Sequence, residues 1–276
     1  MRLLITGGAG FIGSCMVRKS IEQGHAVLNI DSLTYAACLD NVASVSKSNG
    51  YSFEKIDIRD YKKLEKVVDS FQPDAIINFA AESHVDRSID SASRVLETNI
   101  IGTFNLLDIF TKYWVKNNRS KTYKFIHIST DEVFGEALES ELFTETTPYD
   151  PKNPYSASKA SSDHLVRAWT NTHGTPAIIT NCSNNYGPFQ FPEKLIPLTI
   201  NAIRNSRSIP IYGDGKQIRD WIYVDDHING VMRVLQRGAV GESYNIGSNN
   251  EVTNIDLVEM ICDTLDTKLN NSTSSK

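Results

Sequence analysis

The sequence predicts an α/β fold, a doubly wound parallel sheet with a smaller C-terminal lobe, on three observations. A short apolar run, Leu3-Leu4-Ile5, leads directly into the glycine-rich turn Gly7-Gly-Ala-Gly-Phe-Ile-Gly13. Further apolar runs of strand length then alternate with stretches of helix length, the pattern that stacks helices on a parallel sheet. After about Asn181 the texture changes: glycine and proline become frequent, as in Gly187-Pro188 and Gly213-Asp214-Gly215, and short strands mix with two helix patterns.

Leu3-Leu4-Ile5 is uniformly apolar and reads as a buried strand. After the glycine turn, a helix from Ser14 to Gln23 is closed by Gly24, and a second strand runs from Ala26 to Ile30. Strands are expected from Phe53 to Ile58, Ala75 to Phe79, Phe125 to Ser129 and Ala177 to Thr180, with helices from Tyr61 to Ser70 and Ser91 to Tyr113. Lobe helices are expected from Val224 to Leu235 and from Ile255 to Leu265. The polar run from Asn270 to Lys276 has the composition of a disordered tail. The expected division is therefore residues 1–180, 181–269 and 270–276, with some interleaving at the boundary.

At 276 residues the chain is ample for one large core, or a core with a lobe. A net charge of -5 with no Lys/Arg stripe predicts neither nucleic acid nor an anionic membrane as partner. Cys15, Cys38, Cys182 and Cys262 lack Cys-x-x-Cys spacing, which predicts reduced thiols and no metal site. The N-terminus has no signal peptide, and no apolar stretch approaches the roughly 20 residues of a membrane span, so a cytoplasmic location is expected.

Gly7, Gly10 and Gly13 permit a tight turn, close approach of a pyrophosphate to the backbone, and close packing of helix on strand. The helix N-terminus then faces the phosphates. This spacing departs from Gly-x-Gly-x-x-Gly, and its place between a strand and a helix is what favours a cofactor over a plain turn. Asp31 ends the second strand, 18 positions past Gly13, where its carboxylate suits ribose hydroxyls and repels a 2′-phosphate. NAD is thus predicted over NADP. Asp57-Ile58 ends the third expected strand, near where an adenine would lie.

Thr130-Asp131-Glu132 follows an apolar strand, so all three are expected at the carboxyl edge of the sheet, where such folds bind ligands. The plainer reading is a helix cap or turn, roles that Thr and Asp also favour. Tyr155 and Lys159 are one helical turn apart. A phenol with a pKa near 10 is a poor base unless a nearby ammonium lowers it, and Lys159 is placed to do so. A chance Tyr-x-x-x-Lys is common on surface helices; here its position in a dinucleotide-binding pattern favours catalysis. Redox chemistry alone has no use for the carboxylate pair, and adjacent acid and base groups point to a second event such as loss of water.

These blocks, with Asp31-Ser-Leu-Thr-Tyr-Ala36, Ala80-Ala-Glu-Ser-His-Val-Asp-Arg-Ser-Ile89, Tyr155-Ser-Ala-Ser-Lys-Ala160, Asn181-Cys-Ser-Asn-Asn-Tyr-Gly-Pro188, Phe191-Pro-Glu-Lys-Leu-Ile-Pro197, Ile218-Arg-Asp-Trp-Ile-Tyr223 and Tyr244-Asn-Ile-Gly247, cover nearly the whole chain. By them the sequence resembles the extended short-chain dehydrogenase/reductase family, and within it most closely the dTDP-glucose 4,6-dehydratases. The resemblance implies a Rossmann domain, NAD as cofactor, and conversion of dTDP-glucose to a 4-keto-6-deoxy sugar for deoxysugar biosynthesis. That route runs through transient C4 oxidation, water loss across C5–C6 and hydride return to C6.

In this reading Tyr155, assisted by Lys159, takes the C4 hydroxyl proton and Thr130 hydrogen-bonds that oxygen; Glu132 removes the C5 proton and Asp131 protonates the departing C6 hydroxyl. NAD would also meet Phe11, Ile12, Ser32, Leu33, Thr34, Phe79, Ala80, Ala81, Ser83, Thr98 and Asn185. Substrate would meet Ser83, Asn184, Lys194, Leu195, Pro210, Tyr212, Arg219 and Asn254. The helix from Ser91 to Tyr113 and the Tyr155 helix would pair across a homodimer axis.

Two features depart from the resemblance. Phe134 stands where Tyr usually follows Asp-Glu-Val, and relatives continue several tens of residues further, so the lobe reads as truncated. The rival readings are a nucleotide-sugar 4-epimerase, which needs no carboxylate pair, a UDP- or GDP-sugar dehydratase, and a non-catalytic NAD-binding remnant or sensor.

Overall fold

A computed structural model describes residues 1–83, 92–137, 142–211 and 213–273. Residues 84–89 of the Ala80 block, and Tyr212, lie outside them. The chain forms two compact units, one of Met1–Cys182 with Asp225–Ile246, the other of Ser183–Val224 with the chain from Gly247 on.

The first unit is built on a seven-stranded parallel sheet in the order β3-β2-β1-β4-β5-β6-β9. Its strands are β1 (Arg2–Thr6), β2 (Ala26–Asp31), β3 (Tyr51–Lys55), β4 (Ala75–Asn78), β5 (Lys124–Thr130), β6 (Ala177–Cys182) and β9 (Ser243–Ile246). The helices are α1 (Phe11–Glu22), α2 (Tyr61–Phe71), α3 (Ala92–Leu96), α4 (Thr103–Lys116), α5 (Pro154–His173) and α7 (Val224–Arg237), the last beginning one residue before the unit. Uniformly apolar strands meet apolar helix faces in the core, where Leu4, Ile76 and Phe125 pack with Leu64, Leu106 and Phe110. Each such side chain contributes about 1.5–3 kcal/mol by leaving water.

Three expectations are corrected. The third strand ends at Lys55, so Asp57 stands two residues beyond it; its Oδ1 accepts the Arg59 N–H at 2.9 Å, a turn that ends the extended run. The long helix is broken between α3 and α4 by a π-helical segment, Glu97–Gly102, whose wider turn carries Asn99 inward. Around the boundary the chain interleaves: α7 and β9 return to the first unit, where β9 completes the edge of β6. Lys19 on α1 holds α7 through the Asp225 carbonyl at 2.9 Å and the Asn229 side chain at 2.8 Å. Finally, the polar stretch from Asn270 is helical as far as Thr273, because no glycine or proline interrupts α8 (Asn254–Thr273).

The second unit has a three-stranded sheet, β10-β8-β7, from β7 (Asn184–Tyr186), β8 (Ile218–Tyr223) and β10 (Glu251–Thr253), with α6 (Leu195–Arg204) against α8. Asp220 fastens the turn before β10 by accepting the Ser248 and Asn250 N–H groups, each at 2.8 Å.

The helix that carries Tyr155 is well started. Pro154 occupies its first position and Asn153 caps it, accepting the Ser156 N–H at 2.9 Å while the Ser156 hydroxyl accepts the Asn153 N–H at 3.2 Å. Asn153→Ala is predicted to cost about 1 kcal/mol, read as a melting-temperature loss of roughly 2–4 °C in thermal unfolding.

Candidate active site

Strand order reverses between β1 and β4, and the crevice outside their carboxyl ends is where doubly wound sheets bind dinucleotides. Here the two strand exits touch. A Cβ on Gly7, whose φ is +69°, would lie 2.7 Å from the Ala80 nitrogen, and a Cβ on Gly13 would lie 2.2 Å from the Gly7 carbonyl oxygen. The glycines are therefore required by contact. Gly10 supplies no side-chain cap to α1, so the first-turn N–H groups of Phe11, Ile12 and Gly13 have no acceptor within the helix and suit an anionic pyrophosphate.

Asp31 lies at the end of β2, buried; its two carboxylate oxygens accept the N–H groups of Ala9 at 3.0 Å and Leu33 at 2.8 Å. Each oxygen keeps a lone pair for a ribose hydroxyl. Burial raises the Asp31 pKa, and these two hydrogen bonds oppose the rise. Ser32 to Thr34 continue from it, with Leu33 in the left-handed region at φ +55°. The crevice residues thus fit NAD: bare backbone for the phosphates and a carboxylate for the ribose.

Asp57 is turned to Arg59, which meets its Oδ2 at 2.7 Å and holds the carboxyl below the usual range; the same guanidinium reaches Glu97 at 2.9 Å. Ile58 is buried against Gly102. Phe79, Ala80 and Ala81 follow β4, where the Phe79 N–H is bound by the Thr6 carbonyl and the Ala80 N–H by the Thr6 hydroxyl. Ser83 is exposed, and Thr98 is half-buried in the π-helical segment.

β5 delivers the second group. Thr130 is its last residue and caps a 3-10 turn, Asp131–Phe134, by accepting the Glu132 N–H at 3.3 Å; its hydroxyl donates to Asp131 at 3.2 Å. Thr130 therefore both caps the turn and stands at the carboxyl edge of the sheet. Phe134 is buried, 5.2 Å from the Phe143 ring and 5.3 Å from Tyr149.

Tyr155 and Lys159 lie on the face of α5 that packs on β5, 9% and 4% exposed. The Lys159 ammonium donates to the Ile128 carbonyl at 2.7 Å. Burial pushes the Tyr155 phenol well above its ordinary value, and the Glu132 charge adds most to that, with smaller contributions from Cys182, Asp131 and Asp163. Burial also lowers Lys159, against the Asp163 charge. Thus Tyr155, Asp131 and Glu132 are close enough to act on one another electrostatically.

The remaining expected residues belong to the second unit. Asn184 and Asn185 are on β7, where Asn185 donates to the Ser183 carbonyl at 3.0 Å. Lys194 is the N-cap position of α6 and Leu195 its first residue. Pro210 is exposed, as is Arg219 on β8, which donates to the Ile218 carbonyl at 2.8 Å. Asn254 opens α8, and its N–H donates to the Gln217 carbonyl at 3.1 Å.

Sequence reading missed two buried polar groups beside this chemistry. Asn99 accepts the Glu82 N–H at 2.9 Å and donates to the Ser158 hydroxyl at 2.8 Å, tying the loop after β4 to α5. Asp163 lies one turn past Lys159 and is fully buried. Its spacing from Lys159 on the buried face of α5 was the available signal.

A family model described as GDP-mannose 4,6 dehydratase matches residues 4–276. The dTDP-glucose 4,6-dehydratase of Neisseria meningitidis serogroup B is 53% identical over 265 residues, covering 95% of this chain and 75% of that protein. Among solved structures, a dTDP-glucose 4,6-dehydratase of Bacillus anthracis in complex with NAD superposes with a TM-score of 0.89 at 43% identity, covering 96% of this chain and 81% of that one. DesIV of Streptomyces venezuelae, also a dTDP-glucose 4,6-dehydratase with NAD bound, gives 0.90 at 44% identity over the same shares of the two chains.

Gly13→Ala must displace the Gly7 carbonyl. NAD affinity, measured by calorimetric titration, is predicted to fall roughly tenfold or more, about 1.4 kcal/mol.

Proposed function

The chain belongs to the GDP-mannose 4,6-dehydratase family and, within it, to the dTDP-glucose 4,6-dehydratases of the extended short-chain dehydrogenases/reductases, and we propose that it converts dTDP-glucose to dTDP-4-keto-6-deoxyglucose. The observation that carries this reading is the gathering of a buried phenol and two carboxylic side chains at the carboxyl end of β5. An epimerase has no work for that pair.

NAD, when bound, supplies the acceptor and donor of hydride and, in its oxidised form, a positive charge. The chain's own groups handle the protons. At rest Tyr155 is a neutral phenol, so it takes the C4 hydroxyl proton only when positive charge offsets its burial, and Lys159 is the protein's share of that charge. Thr130 orients the same C4 oxygen. A ketone at C4 acidifies C5, and Glu132 then removes the C5 proton while Asp131, as a carboxylic acid, protonates the C6 hydroxyl as it leaves. The first-turn N–H groups of α1 would hold the cofactor's pyrophosphate, and Asp31 its adenosine ribose. The family resemblance assigns nucleotide-sugar contacts to Asn184, Lys194, Leu195, Pro210, Arg219 and Asn254, cations with several donors suiting a diphosphate.

Two further readings belong here. Leu96 and Ile101 are 41% and 50% exposed on the α3–α4 face, beside the Phe104–Trp169 ring contact that joins α4 to α5. That apolar surface supports a homodimer through these helices. A cytoplasmic location is supported by free cysteines at 15, 38, 182 and 262 and by the lack, among the described residues, of a helix long and apolar enough to cross a membrane.

The test is product identity. Incubated with dTDP-glucose and, separately, UDP-glucose, the protein is predicted to yield a 4-keto-6-deoxy sugar, detected by alkaline absorbance, preferentially from dTDP-glucose; a C4-inverted sugar that retains its C6 oxygen contradicts the proposal. Glu132→Gln is predicted to oxidise C4 yet stall before water loss, slowing product formation by roughly 10²-fold or more. Because the Glu132 charge raises Tyr155, the same variant shifts the acid limb of C4 oxidation to lower pH. Sedimentation is predicted to give a dimer at micromolar concentration.

A further inference from the structure

The polar groups behind the catalytic helix form one connected system. Asp163 Oδ2 accepts hydrogen bonds from the Ser129 hydroxyl at 2.8 Å, the Tyr149 hydroxyl at 2.9 Å and the Asn181 amide at 3.5 Å. Oδ1 faces His127 Nε2 at 3.4 Å. A set made only of donors is the set an ionised carboxylate takes.

The imidazole is fixed from its other side. The Ala80 N–H donates to the Thr6 hydroxyl, which donates to Asn78 Oδ1 at 2.7 Å, and this turns the Asn78 amide nitrogen toward His127 Nδ1 at 3.2 Å. The hydrogen-bond network therefore assigns the imidazole hydrogen to Nε2, directed at the Ser162 hydroxyl, with Asp163 Oδ1 alongside. Burial and the Lys159 charge keep His127 below its usual pKa, so it is neutral and leaves the Asp163 charge uncancelled. A fully buried carboxylate calls for a cation nearby; Lys159 lies one turn back on the same buried face of α5, and the Asp163 charge acts on it.

The two side chains also act on consecutive residues of one strand. Lys159 binds the Ile128 carbonyl and Asp163 the Ser129 hydroxyl, directly before Thr130. We propose that Asp163 is a positioning residue of the reaction: its carboxylate is the buried counter-charge that keeps Lys159 an ammonium, and through Ser129 it anchors the strand end that presents Thr130, Asp131 and Glu132. The proposal rests on the function read above for this site.

The other groups facing this pair come from each neighbouring element. β5 contributes the neutral His127, β6 contributes Cys182, and α5 itself contributes Tyr155. Ahead of α5, Tyr149 carries the Arg167 guanidinium, 5.0 Å over its ring and 3.0 Å from its hydroxyl. Arg167, one turn further along α5, is thus a second cation, joined to Asp163 through the Tyr149 hydroxyl.

Asp163→Asn keeps the shape and removes the charge. With dTDP-glucose, kcat is predicted to fall roughly tenfold or more with KM nearly unchanged, and the alkaline limb of kcat to move to lower pH, because Lys159 releases its proton sooner. Asp163→Glu restores the limb in part. A limb that stays in place, or a loss confined to KM, overturns the proposal. A second comparison is independent of turnover and of whether Asp163→Asn folds. The double variant Lys159→Met with Asp163→Asn removes both charges, and it is predicted to melt higher than Asp163→Asn alone; equal or lower stability overturns the pairing. If the parent forms no 4-keto-6-deoxy sugar, the functional reading falls while this melting comparison still decides the role of Asp163.

Discussion

The site depends on an ammonium buried where water does not reach. Lys159 is 4% exposed, and its Nζ is held by the carbonyl of Ile128, the third residue from the end of β5. An isolated charge in such a place would lose its proton. Its retention therefore dictates the surroundings: a strand carbonyl in contact, a carboxylate one turn along α5, and a close fit of helix to strand that only small side chains such as Ser158 and Ser162, both fully buried, permit. The same close fit places Tyr155 over the end of β5, beside Asp131 and Glu132.

The cofactor crevice follows a parallel logic, in which contact between backbones replaces contact between charges. Gly7 and Gly13 leave room for main chain alone, so the β1 exit, the β4 exit and the start of α1 converge. Asn99 then links the loop after β4 to α5 through Glu82 and Ser158. The chain after β4 and α5 are in this way fixed to each other within the first unit.

Much of this was legible in the sequence because it depends on local spacing. The glycine turn, the uniformly apolar strands, Asp31 at a strand end and the one-turn spacing of Tyr155 and Lys159 are all short-range signals. What escaped depends on contacts distant in sequence. The π-helical segment exists because Asn99 must reach Glu82 and Ser158, and no helical periodicity encodes that. β9 belongs to the first unit because it pairs with β6, more than 60 residues earlier. Asp57 falls past its strand because a turn with Arg59 competes with pairing. Thr130 both ends β5 and caps the turn that carries Asp131 and Glu132, so the cap reading and the place at the carboxyl edge of the sheet are not alternatives.

The central claim is that one hexose meets a phenol, two carboxyl groups and a hydride carrier in sequence, so that the hydrogen taken from C4 ends on C6. dTDP-glucose carrying deuterium at C4, followed by NMR of the product, reads this directly. Deuterium in the C6 methyl group of a 4-keto sugar is the predicted result. Deuterium returned to C4, with the C6 hydroxyl intact, would contradict it.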